Sequence, residues 1–283
     1  MIAFLGTGLL GANFVRAFRR RNEAVHVWNR SPEKARALED VGAKAFDQPA
    51  EAVRGATRVH ITVSDDAAVD ALLEQARPGL SRESIIVDHT TTAPDPTAER
   101  VRRWAEPGIA FQHAPVFMGP GNALDGTGTM LASGDRVLFD SLAPALEKMT
   151  GTLVYLGEDP RRAASIKLMG NLFTMAMLAG VADMFALGAA LGVPSAEAMR
   201  IFEFSNSAAT APARAERMRT GDLTKPSWTL TMARKDARLM IESAELHHGR
   251  LAVIPAMAAE MDRRIAAGHG AEDWMVIGKD AIG

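Results

Sequence analysis

Short apolar runs alternate with amphipathic helical patterns along the first half of the chain. Each run has the length and apolar character of a buried strand. The runs are Met1–Leu5, Val25–Trp28, Arg58–Val63, Ser84–Asp88, Ala110–Ala114, Thr129–Ala132 and Leu153–Leu156. Strands that alternate with helices form a parallel sheet covered on both faces, so this part is predicted to be a doubly wound α/β domain.

The pattern changes after residue 157, where the strand-like runs stop. A helical pattern begins at Asp159, a good N-cap residue, and continues to Gly192. The rest of the chain is also helical, with interruptions at Pro212, residues 225–227, Gly249 and Gly268. We predict an α/β domain over residues 1–157 and an all-α domain over residues 158–283, joined through the long helix.

Three glycines, Gly6, Gly8 and Gly11, follow the first predicted strand, and a helical pattern begins among them. This order is the strand, glycine turn and helix of a Rossmann-type dinucleotide site. The first glycine permits the bend, the second leaves room for a pyrophosphate, and the third brings the helix close to the strand. The residues predicted to hold the cofactor here are Gly6, Thr7, Gly8, Leu9, Leu10 and Gly11. A tight turn without a ligand is the alternative.

The residues after the second predicted strand indicate which dinucleotide is bound. NAD sites usually place an acid about 20 residues beyond the glycines, against the ribose hydroxyls. This chain has Asn29, Arg30 and Ser31 there, and Lys34 follows in the next helix. A guanidinium binds phosphate through paired hydrogen bonds and a lysine adds charge, so NADP is predicted. Alternatively, Arg30 and Lys34 are ordinary solvated charges.

Composition and charge narrow the class of protein. The chain has 283 residues, a formal net charge of −2 and no cysteine. This charge does not favour nucleic acid or an anionic membrane surface as a partner. The lack of cysteine excludes disulfides and thiolate sites and fits a reducing compartment. The N-terminus has no signal-peptide pattern, so we expect a cytoplasmic protein that acts on a small molecule.

Two further features require an interpretation. The apolar run over residues 168–193 is long enough to span a membrane, but Asn171, Thr174 and Asp183 would be costly in lipid, so a packed helix is expected. His247 and His248 are adjacent, and on a helix they would point about 100° apart. Such a pair is a poor chelate, and no metal site is predicted.

Lys167 and Asn171 lie four residues apart in the long predicted helix and therefore share one face. The neighbours of Lys167 indicate a largely buried segment; they are Ala163, Ala164, Ile166, Leu168 and Met169. Burial lowers the pKa of a lysine towards the range useful for acid–base catalysis. The alternative is a lysine that reaches the solvent along its aliphatic stem.

Four stretches together resemble the β-hydroxyacid dehydrogenase family, which includes 3-hydroxyisobutyrate dehydrogenase and glyoxylate and succinic semialdehyde reductases. FLGTGLLGANF is similar to the cofactor turn of that family, and DHTTTAP to its D-x-[ST]-T-x-x-P segment. KLMGN is similar to its K-x-x-x-N pair and RKDARL to its K-D segment. The resemblance covers nearly the whole chain. It implies hydride transfer between NADP(H) and a carbonyl or hydroxyl carbon of a β-hydroxyacid or semialdehyde.

The resemblance also implies roles for individual residues. Lys167 would protonate the carbonyl oxygen, or act as the base in the oxidative direction, and Asn171 would orient the substrate and the lysine. Thr90 and Thr91 would lie beside the substrate and the nicotinamide. The remaining cofactor contacts that it implies are Val63, Ser64 and, near the nicotinamide end, Lys235.

One segment departs from the family pattern. The family usually has a Ser-Gly-Gly-like loop after A-P-V that binds the substrate carboxylate, whereas this chain has Phe117 and Met118 ahead of Gly119. The hydroxyl is lost and two bulky apolar side chains replace it. We therefore expect these three residues to contact a less polar substrate, with simple packing as the alternative.

Three other functions remain open. 6-Phosphogluconate dehydrogenase shares the architecture, but it is far longer and has a histidine where this chain has Gly170. Imine reductases share the long helix and the N-R-[ST] segment, but they generally have Asp or Tyr in place of Lys167, so imine reduction is an alternative activity. A catalytically silent NADP-binding sensor is the third. The apolar helical half also predicts a homodimer or homotetramer.

Overall fold

The computed structural model describes residues 1–205 and 207–282. The chain divides into two compact units, residues 1–171 and residues 172–283. The strands are β1 (Ile2–Leu5), β2 (Val25–Trp28), β3 (Lys44–Ala45), β4 (Arg58–Ile61), β5 (Ile85–Asp88), β6 (Ala110–His113), β7 (Val116–Phe117), β8 (Thr129–Ala132) and β9 (Thr152–Tyr155).

The helices fall into three groups along the chain. Those before the long helix are α1 (Leu9–Arg20), α2 (Pro32–Arg36), α3 (Pro49–Val53), α4 (Asp66–Ala76), α5 (Pro94–Ala105), α6 (Pro120–Asp125) and α7 (Arg136–Leu146). The long helix is α8 (Arg162–Ala190). Those after it are α9 (Ser195–Ala198), α10 (Ile201–Phe204), α11 (Ala211–Thr220), α12 (Leu230–Leu246) and α13 (Ile254–Arg264).

The first unit contains a parallel sheet of six strands in the order β3-β2-β1-β4-β5-β6. Strand β1 lies in its middle, where Ile2 is in register with Val25 on one side and Arg58 on the other. Successive side chains of a strand point to opposite faces, so Phe4 joins the core on one face and Leu5 the core on the other. The predicted Rossmann-type doubly wound sheet is confirmed.

A second, smaller sheet has the order β7-β8-β9. Strand β8 pairs with β9 in parallel and with β7 in the antiparallel direction, with Phe117 opposite Thr129. Two of the runs predicted from the sequence, at Thr129 and Leu153, therefore belong to this separate sheet. Strands β3 and β7 were not predicted, because a strand of two residues has no hydrophobic period to detect.

Helix α8 is mostly apolar, and the division between the two compact units falls inside it. The domain boundary expected after residue 157 stays a prediction. By length and composition, α8 is the described helix that is able to cross a membrane, with a mean hydropathy of 1.7. Core helices of water-soluble proteins meet the same criterion but are mostly buried, whereas only 6% of the tested α8 window is buried in the single chain. Leu168 and Met169, beside Lys167, are exposed, so the largely buried segment expected there is not observed, and packing of the whole helix stays a prediction.

The second unit is helical in its described residues, as predicted. Its core includes Leu230, Met261 and Val276. Asp183 of α8 is buried here, and its carboxylate accepts hydrogen bonds from the backbone amides of residues 252–254, at 2.7 to 3.1 Å. Burial raises the pKa of this carboxyl, but the three amides outweigh it and hold the pKa of Asp183 below its usual range. The acid in this apolar helix therefore caps the start of α13.

Candidate active site

A cleft of about 430 Å³ lies where β1, β2 and β4 end. Its walls come from the segments that directly follow these strands, which is the usual ligand crevice of an open α/β sheet. The lining residues are Gly6, Gly8, Leu9, Leu10, Trp28, Asn29, Arg30, Ser31, Lys34, Thr62, Val63, Ser64, Ala68, Ala71, Leu72 and Gln75. The glycine turn and the NRS segment thus meet in one cleft.

The three glycines of the turn differ in what a side chain at each position would meet. Gly6 has a φ of +95°, and a Cβ atom there would lie 2.0 Å from the carbonyl oxygen of Thr62. A Cβ atom at Gly11 would lie 2.0 Å from the carbonyl oxygen of Gly6 and 2.9 Å from the ring of Phe4. At Gly8 a Cβ atom would meet nothing within 4 Å. The first and third glycines are therefore required by packing, and the second faces open space.

The N-terminus of α1 is able to bind an anion. Gly8 is its N-cap residue, and no side chain caps the helix there. Helix N-termini carry unpaired backbone N–H groups and a partial positive charge, which favour phosphate groups. The open space at Gly8 adjoins these groups, so the turn fits the pyrophosphate of a dinucleotide.

Asn29 connects the glycine turn to the segment after β2. Its Oδ1 accepts a hydrogen bond from the backbone amide of Thr7 at 2.9 Å, and its Nδ2 donates to the carbonyl oxygen of Ser31 at 3.0 Å. The side chain of Asn29 is therefore engaged with protein groups. Arg30, Ser31 and Lys34 are left to face the cleft, and none of its described lining residues is acidic.

One wall of the cleft was not predicted from the sequence. It is formed by one face of α4, from Ala68 to Gln75, and the cleft is also lined by Trp28 and Thr62. The α4 residues recur at spacings of three and four, which places them on a single face of the helix. Because α4 begins just after the predicted cofactor residues Val63 and Ser64, this spacing could have identified its cleft face from the sequence.

Thr90 lies beneath the loop that follows β4. Its Oγ1 accepts a hydrogen bond from the backbone amide of Val63 at 3.1 Å, and its own amide donates to Asp88 Oδ1 at 2.9 Å. Asp88 is completely buried, which raises its pKa to about 6 despite the hydrogen bonds from Thr90. Thr91 is exposed. Thr90 thus joins the ends of β4 and β5, and its expected contact with substrate stays a prediction.

Three buried histidines lie in or next to β4, β5 and β6, and sequence reasoning did not find them. His60 Nδ1 lies 3.0 Å from His89 Nε2, and His113 Nε2 lies 2.9 Å from the carbonyl oxygen of Thr90. Burial lowers the pKa of His89 and of His113 to about 4, and burial with the neighbouring His89 lowers the pKa of His60. They are neutral at physiological pH, and His113 contacts the segment that carries Thr90 from inside the sheet.

Lys167 and Asn171 meet on one face of α8, as predicted. The Lys167 side chain is buried, with 8% of its surface exposed. Its Nζ donates a hydrogen bond to Asn171 Oδ1 at 2.9 Å. Burial lowers the pKa of Lys167 below its usual range. The ammonium is thus held in a fixed place and is a stronger acid than a lysine in water.

The segment that departs from the family pattern lies beside this pair. Phe117, on β7, has its ring centroid 4.3 Å from Lys167 Nζ. Met118 is half-buried, and Gly119 is the N-cap residue of α6, where its amide donates to Asn122 Oδ1 at 2.9 Å. Phe117 therefore contacts the candidate acid. Contacts of all three residues with a substrate stay predictions.

Lys235 lies on α12 in the second unit. Its side chain is half-exposed, and its ammonium forms an ion pair with Asp236 at 2.6 Å. The expected role of Lys235 near the nicotinamide stays a prediction. Among the described residues, no cluster of three or more metal-binding side chains is present.

Residues 1–157 match the NAD-binding domain of 6-phosphogluconate dehydrogenase. The chain belongs to this family. It is 26% identical over 283 residues to 3-sulfolactaldehyde reductase of Escherichia coli, with 98% of this chain and 94% of that protein covered. As a member of the family, the protein is a nicotinamide-dependent oxidoreductase.

Solved structures extend the likeness to the whole chain. The imine reductase of Myxococcus stipitatus in complex with NADP+ gives a TM-score of 0.91 at 21% identity over 99% of both chains, and a V8 variant of it is in complex with NAD+. The imine reductase of Streptomyces aurantiacus gives a TM-score of 0.88 at 26% identity, over 100% of this chain and 99% of that one. The chain is thus β-hydroxyacid dehydrogenase-like and related to imine reductases.

Twelve of the predicted cofactor residues divide into two sets, and the other two, Thr91 and Lys235, belong to neither and do not line the cleft. Those that line the cleft are Gly6, Gly8, Leu9, Leu10, Asn29, Arg30, Ser31, Lys34, Val63 and Ser64. Thr7 and Gly11 instead shape the turn, through the Asn29 hydrogen bond and the close packing of α1. The structure brings the first set together, and their contacts with the cofactor stay predictions.

Proposed function

We propose that the protein is an NADP(H)-dependent reductase of carbonyl compounds. The observation that carries this proposal is the buried Lys167, whose ammonium is hydrogen-bonded to Asn171 at 2.9 Å and which has a lowered pKa. Carbonyl reduction needs one proton at the oxygen, and a lysine of lowered pKa is suited to donate it. A sensor that only binds the cofactor has no need for a buried ammonium, which is costly without a function.

The cleft composition supports NADP as the cofactor. Arg30, Ser31 and Lys34 line the cleft after β2, where the adenosine ribose would bind, and the described lining residues include no carboxylate to repel a 2′-phosphate. The turn at Gly8 and the N-terminus of α1 would hold the pyrophosphate. When bound, the nicotinamide supplies the hydride for the carbonyl carbon.

The residues of this chain supply orientation and the proton. An ammonium has three N–H donors, and Asn171 accepts from one of them. Another donor is available for the substrate oxygen, to which Lys167 transfers its proton as negative charge develops there. The neutral amine then regains a proton from solvent. In the oxidative direction the neutral amine accepts the proton from the substrate hydroxyl.

The substrate is proposed to be less polar than a small oxo-acid. Phe117 covers part of the Lys167 ammonium, and Phe117 and Met118 together present apolar surface where a hydroxyl was expected. A carbonyl on an apolar chain or next to an aromatic group fits such a wall. Imine reduction is the second candidate, and the structural likeness to imine reductases favours it.

The test is NADPH consumption with a panel of aldehydes, keto acids and cyclic imines, by the unmutated protein and by Lys167→Met. The variant is expected to lower carbonyl turnover by about 10²- to 10⁴-fold, the usual contribution of a general acid, with NADPH affinity nearly unchanged. Lys225→Met, a change of an exposed lysine, is the matched control. Full carbonyl turnover by Lys167→Met would contradict the proposal, and turnover of imines alone would favour the second candidate.

We further propose that the protein acts in the cytoplasm as a homo-oligomer. Several large apolar side chains of α8 are exposed in the single chain, including Leu172, Met175 and Leu178 at 58% to 70%. A second copy of this chain is the proposed cover, because its α8 offers the same apolar surface. Sedimentation equilibrium is expected to give a dimer or tetramer, and Leu178→Glu a monomer. A monomeric unmutated protein would contradict this.

A further inference from the structure

The ring of Phe117 lies against Lys167 and Gly170 at the same time. Lys167 Nζ is 4.3 Å from the ring centroid, within the range of a cation–π interaction. The tip of the ring lies over Gly170, where a Cβ atom would be 2.4 Å from Phe117 Cζ and 2.7 Å from Cε1. Any side chain at position 170 would therefore push the ring away from the lysine.

The backbone of Phe117 is fixed by its own sheet. Phe117 is in register with Thr129 of β8. Gly128, the residue just before β8, packs against Phe117. Its φ is +79°, and a Cβ atom there would lie 2.9 Å from the carbonyl oxygen of Phe117. The ring is thus presented to α8 from a rigid position.

Two uncharged groups contact the Lys167 ammonium. Asn171, on the same helix, accepts one hydrogen bond, and Phe117, on β7, offers its ring. Among the described residues no ion pair includes Lys167, and burial is the one cause that shifts its pKa. The ring is therefore a favourable partner for a charge that has no carboxylate beside it.

We infer that Phe117 is a positioning residue for Lys167: its ring and the Asn171 amide oxygen hold the ammonium from two sides, and Gly170 provides the space that the ring needs. The inference rests on the proposed role of Lys167 as the proton donor. It adds a residue outside α8 that sets the place and the protonation of that donor.

The Phe117 ring also affects proton transfer by Lys167. A ring face favours the charged form of a lysine, which opposes the effect of burial. Removing the ring while keeping the site apolar should lower the pKa of Lys167 further, by about one unit given the usual strength of a buried cation–π contact. Reduction requires the protonated lysine, so its alkaline limb should move to lower pH by the same amount.

The pKa of Lys167 can be measured without substrate or cofactor, by ¹⁵N NMR titration of lysine-labelled protein. Lys167→Met identifies the signal by its loss. Phe117→Leu keeps an apolar side chain but lacks the atoms that lie over Gly170, and its pKa is expected about one unit lower. Phe139→Leu, which removes another buried ring that contacts a cation, is the matched control and should change nothing.

Gly170→Ala provides the second arm. It should displace the ring and lower the pKa of Lys167 as Phe117→Leu does, and the double variant should show no further fall, because the displaced atoms are already absent. An unchanged pKa in Phe117→Leu, an equal fall in Phe139→Leu, or additive falls in the double variant would overturn the inference. Failure of the proposed function is a separate result: no NADPH-dependent reduction, with a Lys167 pKa that still responds to Phe117.

Discussion

In the glycine turn, a single added methyl group is able to weaken cofactor binding without affecting folding. In Gly8→Ala the added Cβ enters open space, and the backbone at φ −67° and ψ −167° suits any residue. We expect the free energy of unfolding to stay the same or rise by up to about 1 kcal/mol, since alanine restricts the unfolded chain. The methyl group occupies the place proposed for the pyrophosphate. Loss of one charge-assisted hydrogen bond, about 1.5 to 3 kcal/mol, weakens NADPH binding by about 10- to 150-fold.

Gly11→Ala is the matched control for this experiment. Its Cβ would lie 2.0 Å from the carbonyl oxygen of Gly6, so α1 has to move, at a cost of about 1 to 3 kcal/mol or more. Thermal unfolding followed by circular dichroism should therefore show a lower Tm for Gly11→Ala and an unchanged or slightly higher Tm for Gly8→Ala. Calorimetric titration measures NADPH affinity. If Gly8→Ala binds NADPH as tightly as the unmutated protein, the pyrophosphate does not approach Gly8 and the assignment of the turn is refuted.

Three other predictions address the cofactor, the substrate and stability. NADPH should be preferred over NADH by at least about tenfold in kcat/KM, and Arg30→Ala should narrow that gap; equal efficiency in the unmutated protein would refute the phosphate contact. Phe117→Ser should shift the substrate ranking from apolar carbonyl compounds towards small oxo-acids, and an unchanged ranking would show that this loop does not set specificity. The free energy of unfolding should fall by a few kcal/mol between pH 6.5 and 4, because the unfolded chain takes up protons that folded His89 and His113, with pKa values of about 4, do not. Asp88, with its pKa raised to about 6, takes up its proton first in the folded state and opposes only part of this fall, so denaturant melts that show constant stability over this range would contradict the burial of these histidines.

Much of the first unit could be predicted because its signals are local. The strands β2 and β8 coincide with the predicted runs, and five others differ from them only at their ends. The glycine turn was readable for the same reason, since β1, the turn and the start of α1 are adjacent in the chain. Lys167 and Asn171 share a face because the helical repeat places residues four apart together.

The features that could not be predicted from the sequence depend on contacts between segments far apart in the chain. The second sheet depends on β7, which has two residues and no period of its own, and it brings Phe117 to Lys167 across fifty positions. The buried histidines stand singly in or after their strands, so no spacing marks them. Sequence by itself determined the elements and the residues that one helix or one turn holds together. Tertiary packing alone decided which side chain surrounds the lysine, because burial and contact depend on neighbours that strand pairing brings from elsewhere.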